Sequence, residues 1–101
     1  EENICIELVV TSLLTGKDAR RIDAIPVILA KNQANYNLLV FLSQKYNVSG
    51  RLLGLLKALN RIKPERQLET AIDTLEAMKV VEVKADPSRI RERLRLYNAI
   101  G

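Results

Sequence analysis

The stretch SGRLLGLLKALNRI, residues 49–62, constrains the fold more than any other. Leu52, Leu55, Leu56, Leu59 and Ile62 recur at the α-helical period and cover one arc, while Arg51, Gly54, Lys57, Ala58 and Arg61 fall on the other. A helix with so continuous an apolar stripe needs other elements to bury it, and its neighbours in sequence repeat the same period. The expected fold class is therefore mainly α, a compact array of five to six short helices.

Residues 3–15 place Ile6, Val9, Val10 and Leu13 on one face, with Gly16 as a stop signal. Asp18 suits the N-cap of a second helix whose apolar face is Ile22, Ile25 and Leu29. Pro26 removes a backbone donor in the middle of that pattern, so a kink is expected there. The segment NYNLLVFLSQKYN, residues 35–47, is apolar on most sides through Tyr36, Leu38, Leu39, Val40, Phe41, Leu42 and Tyr46, and reads as a central, largely buried helix. After Pro64, Leu68, Ala71, Ile72, Leu75 and Met78 supply the stripe of a further helix, with Glu65 well placed for its macrodipole. The short links between these segments favour a bundle-like or orthogonal array.

Beyond Lys79 the period changes. Val81 and Val83 alternate with Glu82 and Lys84, a short strand signal. Residues 87–98 then admit two readings. Asp86-Pro87 is an N-cap followed by proline at the first helical position, and Ile90, Leu94 and Tyr97 keep helical spacing. Leu94 and Leu96 also alternate with Arg93, Arg95 and Tyr97 as a strand would, which would make a short β-ribbon near the C-terminus and a winged-helix-like topology. In that topology residues 64–79 would enter the major groove, yet they carry Glu65, Glu69, Asp73 and Glu76 against Arg66 and Lys79, a charge that phosphates repel.

The chain has 101 residues and reads as a single helical domain, 1–101. With one cysteine and no histidine it has no internal disulfide, no Cys/His zinc cluster, and no histidine for acid–base catalysis. Cys5 reads as a small buried hydrophobe, and Asp18 and Asp23 as caps or solvated charges rather than a catalytic pair. No glycine-rich phosphate loop occurs, and no enzyme activity, metal or cofactor is expected. The apolar runs are too short to span a bilayer, and the start EENICIELVV has no basic leader, so a soluble, cytoplasmic protein without membrane partners is expected.

Charge is distributed in blocks. Residues 24–64 carry six basic side chains and no carboxylate, and residues 87–101 carry four arginines against one glutamate. Two candidate binding surfaces follow. Arg51, Lys57 and Arg61 share one helical face, where Gly54 and Ala58 leave room for a phosphate backbone to approach. Arg89, Arg91, Arg93 and Arg95 form the denser cluster, with the bidentate geometry that suits phosphate. In the favoured reading the Arg51, Lys57 and Arg61 face meets acidic surface on a protein partner; in the alternative that face and the 89–95 arginines bind nucleic acid.

The segments RRIDAIPVILAKN, NYNLLVFLSQKYNVSGRLLGLL, AIDTLEAMKVVEVK and LRLYNAIG together resemble a region of uncharacterised archaeal proteins similar to abortive-infection antitoxins, whose usual partner is a nucleotidyltransferase. Arg20, Arg21, Asn32, Asn35, Tyr36 and Lys45 lie in its most recognisable stretches. Such antitoxins commonly carry an additional winged helix before this region, and 101 residues do not accommodate both. The resemblance implies a non-enzymatic partner or regulator. The expected function is a non-catalytic protein-interaction or regulatory module, antitoxin-like, with nucleic-acid binding as the alternative.

Overall fold

A computed structural model describes residues 5–16 and 18–96. Its elements are α1 (Ile6–Thr15), α2 (Ala19–Asp23), α3 (Ile25–Lys31), α4 (Tyr36–Lys45), α5 (Ser49–Ile62), α6 (Arg66–Ala77) and α7 (Pro87–Leu96). Among the described residues there is no strand. Among the described residues the β-ribbon is not seen: residues 87–96 are helix, and residues 80–86 are a strap outside any helix or strand. The parts of the expected first and last helices at residues 3–4 and 97–98, with Tyr97, lie outside the described residues.

The sequence break at Pro26 takes the form of two helices. Residue Ala24 separates α2 from α3, and Pro26 stands in the first turn of α3, where its missing N–H would have had no helical partner. Counting α2 and α3 as one interrupted helix leaves six.

At the centre lies α5, in contact with α3, α4, α6 and α7. Leu52, Leu55, Leu56 and Leu59 are buried as their spacing requires, and they join Val10, Leu14, Ile25, Leu39, Leu68, Leu75, Ile90 and Leu94 in one core. The opposite arc departs from expectation, because Gly54 and Ala58 are buried too. What covers Gly54 is the chain itself: residues 80–86 cross α5 there. Val83 N–H donates to the Gly50 carbonyl at 3.0 Å, and a Cβ at Gly50 or Gly54 would run into the carbonyl oxygen of Val81 or Val83.

Two helix ends share one device. At the end of α4, Asn47 takes φ 59°, Val48 N–H donates to the Ser43 carbonyl and Asn47 N–H to that of Gln44. At the end of α6, Lys79 takes φ 60°, with Val80 N–H on Leu75 and Lys79 N–H on Glu76. Both are Schellman turns built without glycine, and they aim the chain into α5 and into the strap.

Some expected burials fail. Phe41 and Tyr46 are exposed, Phe41 at 60 %, because α4 packs on α1, α5 and α6 through Leu39, Val40 and Leu42 and turns its remaining side to solvent. Met78 is exposed as well, since the helix ends at Ala77 and the Schellman turn carries Met78 off the buried stripe. Cys5 is half-buried at the start of α1 rather than fully inside.

Candidate nucleic-acid interface

The residues expected to bind phosphate divide into those engaged within the fold and those facing solvent. Arg51 is engaged. Its guanidinium donates to the Leu14 carbonyl at 2.7 Å and the Gly16 carbonyl at 2.9 Å, joining α5 to the end of α1. The last carbonyls of a helix lack intrahelical donors and carry partial negative charge, so a cation there serves as both cap and counter-charge.

Lys57 is engaged too. Its ammonium lies 2.7 Å from Glu76 Oε2 on α6 and 3.0 Å from Glu82 Oε1 on the strap. Those two hydrogen bonds, Glu76 first and Glu82 second, raise its pKa above the ordinary lysine value. The expected open face of α5 is thereby corrected. The space beside Gly54 admits this chain's own backbone, and Lys57 fastens it down.

Arg61 remains exposed. With Lys57, Glu82, Lys84 and Ala85 it borders a cleft of about 530 Å³ between α5, the strap and the start of α7.

On α7, Asp86 behaves as its sequence context suggests: its Oδ1 accepts the Ser88 N–H at 2.9 Å, and Pro87 opens the helix. Ile90 and Leu94 face the core, so the arginines distribute around the remaining surface. Arg89 forms an ion pair with Asp23 of α2. Arg93 is half-buried and already interacts within the fold. Arg91 and Arg95, one turn apart, are exposed. The structure therefore separates the two clusters into engaged residues (Arg51, Lys57, Arg89, Arg93) and exposed ones (Arg61, Arg91, Arg95). The acidic outer face of α6 is as expected, with Glu65, Glu69, Asp73 and Glu76 exposed.

Sequence reasoning missed Glu7. Only 7 % exposed, its carboxylate accepts the backbone N–H of Asn35, the residue that precedes α4. Asn35 in turn accepts the Leu38 N–H with its own side chain at 3.1 Å. Hydrogen bonding from Asn35 is the main cause that holds the Glu7 pKa below its usual value, against the opposing effect of burial. A capping box normally draws this glutamate from three residues into the same helix, and here another helix supplies it. Asn60 does the same for α6 by accepting the Glu65 N–H at 3.0 Å.

Among the described residues, no group of three or more cysteine, aspartate or glutamate side chains is placed to hold a metal ion, and no helix is long and apolar enough to cross a membrane. Comparison with protein-family models, curated proteins and solved structures gives no match.

Proposed function

We propose that this chain is a non-catalytic protein-interaction module. The observation that carries the reading is a contrast: four of the seven candidate cations already have partners in the fold, while large apolar side chains stand in solvent. Leu8 of α1 and Tyr46 beyond α4 line a shared groove with Thr11, Ser12 and Thr15, and Phe41 is exposed on α4. Exposed aromatic residues are what protein interfaces select as anchors. The antitoxin resemblance suggests the partner, a nucleotidyltransferase, and a regulatory role in the cytoplasm. Calorimetric titration of the chain into such an enzyme tests it. Saturable binding that weakens strongly with Tyr46→Lys and little with added salt supports the reading, and absence of binding contradicts it.

A second reading rests on Arg91 and Arg95. Exposed one turn apart on α7, and joined by Arg61 as a third exposed arginine, they suit non-specific contact with a phosphate backbone. Affinity for duplexes that falls steeply with salt, equally for every sequence, would favour it.

A further inference from the structure

The strap breaks the usual rule for a half-buried β segment. Its alternation is Val81, Glu82, Val83, Lys84, yet the charged Glu82 points inward to Lys57 while Val81 is 84 % and Val83 53 % exposed. Geometry shows that this stretch is extended. The carbonyls of Val81 and Val83 meet Gly50 and Gly54 respectively, and four residues of helix (about 6 Å) match two residues of extended chain (about 6.7 Å). In an extended chain the N–H and C=O of one residue share an edge, and those of the next take the opposite edge. Val81 and Val83 therefore turn their peptide groups to α5, and Glu82 and Lys84 turn theirs away. Among the described residues, no backbone hydrogen bond joins Glu82 or Lys84 to another segment.

We propose that this outer edge pairs with the same edge of a second copy, forming an antiparallel two-stranded ribbon across a twofold axis at Val83. In that register Glu82 and Lys84 of the second copy exchange both backbone hydrogen bonds, and so do Lys84 and Glu82 of the second copy. Both pairs set opposite charges face to face. The two Val83 side chains meet at the close, non-hydrogen-bonded position, with Val81 beside Ala85 of the second copy. Shifting the axis to Glu82 would also align the outer edges, but it would oppose two glutamates, so charge complementarity selects the Val83 axis. The interface is isologous and closes at two chains. Among the described residues it covers the most exposed large apolar side chain, Val81, and pairs a backbone edge that would otherwise invite aggregation. It is independent of the groove assigned above to a protein partner.

Sedimentation equilibrium from micromolar to millimolar concentration, combined with amide hydrogen exchange, tests the proposal. The chain is expected to pass from monomer to dimer, with the Glu82 and Lys84 amides becoming protected as it does and the Val81 amide unchanged. Lys84→Glu sets glutamates opposite each other and should weaken the dimer about tenfold. Lys84→Pro removes an outward donor while keeping an extended backbone, and should do so at least as strongly. Both variants should retain the helical circular dichroism of the parent. A chain that stays monomeric at millimolar concentration, or a dimer indifferent to both substitutions, overturns the proposal. So does a chain whose Glu82 and Lys84 amides gain protection only when a nucleotidyltransferase is added, because the edge would then belong to a foreign strand.

Discussion

Glu7 and Asn35 are 28 residues apart in sequence, and the carboxylate of the first accepts the main-chain N–H of the second, tying α1 to the start of α4. The bond couples folding to acidity. Because the pKa of Glu7 is lowered in the folded chain, its contribution is complete above the unfolded value of 4.5 and is lost as pH falls through the folded value. Glu7→Ala should cost about 1.5–3 kcal/mol at neutral pH, the range for a hydrogen bond to a charged group. Glu7→Gln, which keeps an acceptor, should cost less and should flatten the loss of stability below pH 4.5. Urea unfolding across an acid series checks both.

Gly54→Ala should destabilise the protein although alanine is the better helix former by about 1 kcal/mol. The new methyl meets the Val83 carbonyl, a backbone atom that cannot move without lifting the strap, so a net cost of about 1–3 kcal/mol is expected. Gly50→Ala should behave alike through Val81. Denaturant midpoints decide, and a stabilised Gly54→Ala would mean that the strap does not lie on α5.

Leu55→Ala and Leu59→Ala should each cost about 2–5 kcal/mol, since both side chains are enclosed in the core. Thermal and chemical unfolding of the two variants, compared with an exposed control such as Arg91→Ala, checks the burial of this arc.

Much of the helical framework could be read from sequence because it rests on local pattern. The stripe of α5, the interruption before Pro26 and the Asp86-Pro87 start of α7 each depend on neighbours within one or two turns. The candidate site was less legible, for a physical reason. Gly54 advertises the absence of a side chain without specifying what fills the space, and a segment nearly thirty residues later fills it. Lys57 looks like a surface cation until α6 and the strap bring Glu76 and Glu82 to it. Phe41 shows the converse limit, because a helix apolar on most sides cannot bury every side when three neighbours cover only part of it.

Alkaline pH should loosen the strap. The raised pKa of Lys57 means that its ion pairs contribute fully below the ordinary lysine value and are lost as pH rises through the higher folded value. Lys57→Met should therefore be less stable than the parent at neutral pH, with the difference shrinking above pH ~10.4. Tyr36, raised to about 12 by burial and then by Glu65, titrates nearby but is common to both chains and leaves their difference unchanged. Parallel thermal melts across an alkaline series measure that difference.

Arg91→Ala with Arg95→Ala should reduce any duplex affinity equally for all sequences and flatten its salt dependence by about two units, one per phosphate contact. Titrations against several duplexes at two salt concentrations test this. A marked preference for one duplex, lost on substitution in α6, would restore a groove-reading helix.

Lys57 decides whether the basic face of α5 works inside the fold. In a fluorescence titration of labelled duplexes at low salt, Lys57→Met should bind each duplex as the parent does, even though its denaturation midpoint is lower. A several-fold loss of affinity with the midpoint unchanged would contradict an internal role for Lys57 and make α5 a nucleic-acid interface.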